Sequence, residues 1–221
     1  MNFNIAEKFV SINGEGVLAG QLAVFIRFTR CNLRCSYCDT SWANDCNAPC
    51  TVMTEDEIHE YIRSTGVKNV TITGGEPLIQ DDIRVLLEKL ASDKKIHVEI
   101  ETNGSQDISK YFDIPNRPSF TVDYKLPGSG MEKEMFLLNF SRVTSDDTVK
   151  FVVSDRTDLE KALNVIKRFE LTEKTNVYLS PVFGSIDPEE IVEFMKDNSL
   201  NGVRLQLQIH KIIWDPDKKG V

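Results

Sequence analysis

Three cysteines stand close together in Cys31-Asn32-Leu33-Arg34-Cys35-Ser36-Tyr37-Cys38, spaced C-x3-C-x2-C. A loop this short can wrap one face of a cubane iron–sulfur cluster. Such clusters are held by cysteine thiolates, and a [4Fe–4S] cube normally takes four. Three thiolates leave one iron open to an outside ligand, which suits a cluster that performs chemistry. The aromatic Tyr37 immediately precedes the third cysteine. Counting alone also allows zinc, because Cys46 and Cys50 could complete a four-thiolate set with two loop cysteines. Free thiols are the plainest alternative. A disulfide framework is disfavoured, since five cysteines are an odd number and the N-terminus carries no basic flank and apolar run of a secretory signal.

These cysteines need a scaffold, and strand and helix signals alternate around them. Val24-Phe25-Ile26-Arg27-Phe28 reads as a strand feeding the cysteine loop, with Arg27 near its end. Upstream, Asn13-Gly14-Glu15-Gly16 either lets backbone approach a ligand or is a hairpin turn, for which Asn-Gly is a strong signal. The stretch with Cys46 and Cys50 reads as a surface loop. Thr54 and Glu57 form a capping box for a helix to about Ser64, with His59 expected on its surface. Residues 69–73 form a buried-type strand that ends in Gly74-Gly75-Glu76-Pro77. This turn is either a simple βα connection with Pro77 in the first helical turn or a ligand contact. Strands are expected over 96–102, 120–125, 147–153, 176–179 and 203–209. Helices are expected over 82–92, over 157–170 and from Asp187-Pro188 onward.

About six β/α units in succession predict parallel strands with right-handed crossovers. The chain has 221 residues, short of the ~250 typical of a closed eight-unit barrel. The expected fold is α/β, an incomplete TIM-type barrel, with residues 1–221 forming a single domain. The cluster loop spans 29–50, at the C-terminal edge of the strands, and a closing segment spans 208–221. An open sheet of flavodoxin type is the structural alternative. The chain is 41% hydrophobic and 27% charged, an ordinary composition for a folded domain. Its net charge is −8 and no basic stripe appears, which argues against a nucleic-acid partner. No stretch approaches the ~20 apolar residues of a membrane span. The expectation is a cytoplasmic protein with reduced thiols and no membrane partner.

The three-cysteine loop with its preceding aromatic resembles the radical SAM superfamily, and Gly74-Gly75-Glu76-Pro77 matches that superfamily's GGEP motif. The resemblance implies a [4Fe–4S] cluster on Cys31, Cys35 and Cys38, whose open iron chelates S-adenosylmethionine (SAM). Further segments resemble the 7-carboxy-7-deazaguanine synthase family over nearly the whole chain. They are Asn13-Gly14-Glu15-Gly16, Arg27, Cys38-Asp39-Thr40, Glu101-Thr102-Asn103-Gly104, Lys125-Leu126-Pro127-Gly128-Ser129-Gly130 and Gln208-Ile209-His210-Lys211-Ile212-Ile213-Trp214. Many members have Gln where this chain has Asn13, a shorter amide with the same two functions. Cys46 and Cys50 fall outside the pattern.

Carried over by position, the resemblance implies SAM contacts from Tyr37, Cys38, Asp39, Gly74, Gly75, Glu76, Glu101, Asp123, Tyr124, Lys125 and Ser154. It implies substrate contacts from Ile12, Asn13, Gly14, Glu15, Arg27 and Thr73, and a magnesium ligand in Thr40. No residue is assigned as general acid or base. The implied reaction converts 6-carboxy-5,6,7,8-tetrahydropterin to 7-carboxy-7-deazaguanine with loss of ammonia, through hydrogen abstraction by a 5′-deoxyadenosyl radical and ring contraction. The implied partners are a reductase, flavodoxin or ferredoxin as electron donor and a second copy of the chain. A glycyl-radical enzyme activating protein and a zinc-stabilised binding module are the alternatives from other classes.

Overall fold

A computed structural model describes residues 1–216 and 218–221; the expected closing segment 208–221 is therefore described apart from Asp217. In chain order the strands are β1 (Asn2–Ile12), β2 (Leu22–Phe28), β3 (Thr51–Thr54), β4 (Asn69–Gly74), β5 (His97–Thr102), β6 (Ser119–Tyr124), β7 (Thr148–Val153), β8 (Asn176–Pro181) and β9 (Val203–Leu205). The helices are α1 (Glu55–Thr65), α2 (Ile83–Ser92), α3 (Asn139–Arg142), α4 (Arg156–Phe169), α5 (Pro188–Asp197) and α6 (His210–Ile213).

The strands form one sheet in the order β3-β1-β2-β4-β5-β6-β7-β8-β9. From β2 onward every pairing is parallel, and each parallel strand sits beside the next in sequence. A doubly wound sheet reverses direction part-way and creates a switch point; this one never reverses, so the flavodoxin-type alternative falls. The sheet ends in β3 on one side and β9 on the other. It is an open, incomplete barrel, as expected, with seven parallel strands among the described residues rather than about six.

Two departures from the expected elements are local. The connection from β5 to β6 carries only a 3-10 turn over Ile108–Tyr111, capped by Asp107, so the strict β/α alternation lapses there. The last strand stops at Leu205; Gln206 N still donates to Leu179 O at 2.9 Å, while its side chain pairs with the Gly16 backbone. Elsewhere the capping chemistry holds. Thr54 and Glu57 make the reciprocal capping box of α1, and Gly66 closes that helix at φ +69°. Asp155 and Asp187 accept backbone N–H bonds at the starts of α4 and α5. His59 is only half-exposed, because Nε2 meets Asp93 Oδ2 at 2.9 Å.

The two faces of the sheet differ in kind. One carries Val70, Ile72, Val98, Ile100, Phe120, Val122, Val149 and Phe151, which pack into the main core. The alternate positions carry Thr71, Thr73, Glu99, Glu101, Thr121, Asp123 and Lys150. Parallel strands are ordinarily apolar on both faces. A polar inner face lined by ionisable groups is therefore a cost to folding that a ligand-binding interior explains.

Candidate active site

The cysteine loop is held at its start by backbone. After β2, Arg30 adopts φ +69° and donates its N–H to Ala43 O, while Arg30 O accepts from Glu76 N at 2.8 Å. Gly75 N donates to Phe28 O at 3.1 Å. Gly75 itself is demanded by this close approach, since a Cβ there would sit 1.9 Å from Arg30 O. Leu33 buries into the core and anchors the middle of the loop. The far side is clasped by the turn after β6: Ser36 Oγ donates to Gly128 O at 2.7 Å and Ser36 N to Ser129 O at 3.1 Å.

Cys31, Cys35 and Cys38 are all half-buried and line one cavity of about 480 Å³ at the C-terminal edge of the strands, within the usual range for a ligand site. Cys46 and Cys50 are exposed and outside it. Burial raises the Cys31 and Cys35 thiols, so loading a cluster must release protons. Two side-chain amides face the thiols: Asn103 Nδ2 lies 3.6 Å from Cys31 Sγ and Asn44 Nδ2 lies 3.4 Å from Cys38 Sγ. Among the described residues, no three His, Cys, Asp or Glu side chains converge as a single ion would require. The four-thiolate zinc arrangement is therefore not built. Three thiols around one wall of a roomy cavity fit a cubane cluster, and replacing Cys46 and Cys50 together with serine should leave iron content after reconstitution unchanged. Loss of about half the iron would show that the ligand set is larger than three.

The expected SAM contacts divide. Tyr37, Cys38, Asp39, Gly74, Gly75, Glu101, Asp123 and Lys125 all line the cavity. Glu76 does not. It is fully buried, and its carboxylate accepts from Leu78 N, Thr102 Oγ1 and Asn103 N at 2.7–2.9 Å. Those three bonds fix the turn after β5, and Glu76 sits behind the cavity wall rather than in it. Burial outweighs those bonds and pushes the Glu76 carboxyl up to about 7. Tyr124 points into the core, against Phe140 and Phe151, with its hydroxyl on Glu132. Ser154 is tied to Asp158 through both Oγ and N, and lies outside the cavity wall.

Deeper in, the inner face forms a charge network. Arg27 Nε pairs with Glu7 Oε1 at 2.7 Å across the β1–β2 ladder. Lys150 Nζ lies 3.2 Å from Glu15 Oε2 and 3.4 Å from Asp123 Oδ1, and Lys125 Nζ lies 2.6 Å from Asp123 Oδ2. Burial alone would lower Lys150, but Asp123, Glu15 and Glu101 outweigh it and hold its ammonium well above the ordinary range. Thr73 donates toward Glu101, which burial raises. Ile12, Gly14 and Glu15 reach the cavity; Asn13 does not line it, accepting from Thr71 Oγ1 at 2.8 Å, with Nδ2 buried and without a partner among the described residues. Thr40 lines the mouth, donating to Asp39 Oδ1 at 3.0 Å.

Burial, then the neighbouring Glu101, pushes the Glu99 carboxyl up to about 7 from an ordinary 4.5. A folded value above the unfolded one favours the folded state fully below pH 4.5, and that contribution is lost as pH rises through about 7. Glu99→Gln keeps an acceptor for Thr121, so its urea stability should depend less on pH across this window. Identical slopes for variant and parent would remove Glu99 from the account.

The residues that precede and begin the expected closing segment pack on the glycine-rich turn. Gln206 makes a reciprocal pair with Gly16, Ile209 N donates to Gly14 O, and Gln208 Nε2 donates to Glu15 Oε2. Lys211 Nζ reaches Asp39 Oδ2 at 3.3 Å. His210, lowered by burial, packs on Gly14, where a Cβ would lie 2.1 Å from Nδ1. Sequence reasoning missed Glu7, Asn44 and Lys150. A single lysine in the apolar run Thr148-Val149-Lys150-Phe151-Val152-Val153 was the available signal, because a buried lysine almost always has a charged partner.

Comparison with known proteins agrees with this site. Residues 25–124 match the radical SAM superfamily model. The chain is 59% identical over 221 residues to the 7-carboxy-7-deazaguanine synthase of Clostridium acetobutylicum, covering all of both chains. It is 35% identical to that of Chlorobaculum tepidum, covering 99% of this chain and 97% of the relative. The fold matches the crystal structure of QueE from Escherichia coli with a TM-score of 0.71, at 21% identity and 94% coverage of each chain. The strand order, the three-thiol wall and full-length identity at this level lead to one assignment: the chain belongs to the 7-carboxy-7-deazaguanine synthase family of radical SAM enzymes.

Proposed function

We propose that this chain is a single-domain 7-carboxy-7-deazaguanine synthase, converting 6-carboxy-5,6,7,8-tetrahydropterin to 7-carboxy-7-deazaguanine and ammonia. One observation carries the reading: three thiols, a guanidinium and a set of buried carboxylates share one cavity. Cys31, Cys35 and Cys38 would hold the cluster, and the Gly74–Gly75 backbone, Tyr37, Asp39, Asp123 and Lys125 would hold SAM. When bound, the cluster and SAM together supply a 5′-deoxyadenosyl radical that takes hydrogen from the pterin.

The chain's own residues bind, orient and exclude water. Arg27 offers a planar fork to the substrate carboxylate, exchanging its Glu7 partner for it. Glu15 and Glu101, with the Gly14 and Ile12 backbone, offer acceptors and dipoles to the N–H-rich pterin ring. The segment from Gln206 to Lys211 walls the cavity from solvent. Arg27→Lys should raise the substrate KM about tenfold or more while SAM binding holds, because lysine cannot make the two-point contact; unchanged KM would take Arg27 out of the substrate site.

Thr40 supports a magnesium role. Its hydroxyl makes no cap bond to the short 3-10 turn that follows it, which weakens the alternative of a structural cap. Magnesium is usually held by few protein groups plus substrate oxygens and water. Thr40→Ala should therefore keep iron content and SAM binding but flatten the response of turnover to magnesium; an unaltered activation curve would place the metal elsewhere. The family resemblance also supports a homodimer and a flavodoxin- or ferredoxin-type electron donor.

The whole reading is tested by anaerobic reconstitution with iron and sulfide, then assay with and without the carboxypterin. Pterin-dependent formation of 7-carboxy-7-deazaguanine is expected. Formation of 5′-deoxyadenosine with no deazaguanine, at any pterin concentration, would overturn it.

A further inference from the structure

We propose that Asn44 and Asn103 set the reduction potential of the cluster, each through a side-chain N–H···S hydrogen bond to one ligating cysteine. The inference rests on the three-thiol cluster reading above. Both residues are buried at 7% exposure, and they address different thiols: Asn44 faces Cys38 at 3.4 Å and Asn103 faces Cys31 at 3.6 Å.

The orientation of each amide is determined by its surroundings. Asn103 Oδ1 accepts from Ser105 N at 3.0 Å, so its other end must be the N–H edge. That edge is shared between Cys31 Sγ and Asn32 Oδ1. Its backbone is fixed by Glu76, which accepts from Asn103 N at 2.7 Å. Asn44 is simpler. A ligating cysteine is a thiolate with no proton to give, so only the N–H edge can favourably face Cys38. Asn44 Oδ1 is buried with no partner among the described residues. Buried amides ordinarily satisfy both ends. An amide placed for the fold alone would not keep its one side-chain bond for a cluster ligand.

Reduction adds negative charge, part of which spreads onto the ligating sulfurs. N–H dipoles aimed at those sulfurs stabilise the reduced form more than the oxidised one, and most strongly where water is excluded. Both asparagines therefore raise the potential, which makes the cluster easier to reduce by a donor of fixed strength. A purely structural role for Asn103, holding the Asn32–Ser105 turn, would change cluster loading and leave the potential alone.

The test is an EPR-monitored redox titration of the reconstituted full chain, without SAM or substrate, at matched iron and sulfide content. Asn44→Ser and Asn103→Ser should each make the potential more negative. The expected loss of reduced over oxidised cluster at fixed donor strength is about tenfold, or about 59 mV for a one-electron couple. The double variant should show roughly the summed shift, because the two bonds act on different sulfurs. Ser105→Ala, which removes the Asn32–Ser105 bond of the same turn while its backbone N–H still holds Asn103 Oδ1, should leave the potential in place. Potentials equal to the parent in both single variants, or an equal shift in Ser105→Ala, would overturn the proposal. If a serine variant loads no iron, the parent labelled with 15N at asparagine Nδ2 supplies the decision: hyperfine coupling of that nitrogen to the reduced cluster supports the bonds, and none excludes them. A parent protein that yields no [4Fe–4S] signal at all would overturn the cluster reading itself.

Discussion

Replacing Lys150 with methionine will cost on the order of 3–5 kcal/mol of folding stability, the usual penalty for removing one partner of a buried ion pair. The methionine fills the same volume, so the loss is electrostatic. Lys150 lies within 3.2–3.4 Å of Glu15 and Asp123 in a wall that is only 10% exposed at the lysine. Without the ammonium, carboxylates of that wall lose the charge that offsets their burial, and their proton affinity rises above that of the unfolded chain. Groups raised in this way favour folding at low pH and lose that contribution as pH climbs. The deficit of Lys150→Met should therefore be smaller at pH 5 than at pH 8 in urea titrations. Adding Glu15→Gln should recover part of it, because the two residues share one interaction. A deficit below about 1 kcal/mol, equal at both pH values, would show that the network is more solvated than its geometry implies.

Gly75→Ala is expected to abolish cluster loading. Its new methyl would meet Arg30 O at 1.9 Å, Arg30 C at 2.4 Å and Cys31 N at 2.9 Å, all of them backbone. No side chain can swing away to relieve the contact. The turn after β4 must separate from the cysteine loop, giving up Glu76 N to Arg30 O and Gly75 N to Phe28 O. Two lost bonds at about 1 kcal/mol each and an overpacking cost of roughly 1–3 kcal/mol sum to a large destabilisation, focused on Cys31. Gly20→Ala is the control. Its φ of +84° strains any side chain, yet nothing lies within 4 Å, so it should lose about 1 kcal/mol and keep full iron. Normal iron content in Gly75→Ala would mean that the loop tolerates displacement of its first ligand.

The sequence showed the parts of this site that are contiguous and missed those assembled across strands. Cys31 to Cys38 and Gly74-Gly75 are local patterns whose spacing carries their chemistry. Glu7 could not be read, because it reaches Arg27 only through the β1–β2 ladder, and a register shift between Ile5 and Glu7 breaks the alternation that would have revealed β1. Asn44 belongs to no motif, and only the fold, through the Arg30–Ala43 backbone bond, brings it beside Cys38. Glu76 shows the same limit: its motif suggested a ligand contact, while its bonds to Thr102 and Asn103 come from a neighbouring strand end that spacing does not reveal. The barrel was legible from β/α alternation, yet only the strand order separated it from the flavodoxin-type sheet. Residues 206–209 alternated like a strand, and the side-chain partner of Gln206 at Gly16 lay 190 residues upstream.

That distance between Gly16 and Gln206 also has a meaning during synthesis. At ~5–20 residues per second, the glycine-rich turn and the nearby thiols leave the ribosome on the order of 10–40 s before the segment that walls them in. Through that interval the nascent chain displays three unshielded sulfurs on an unfinished sheet. Delivery of iron and sulfide has its freest access then, and so does oxygen, so expression yield of intact cluster should respond to aeration during translation more steeply than the finished protein does afterwards.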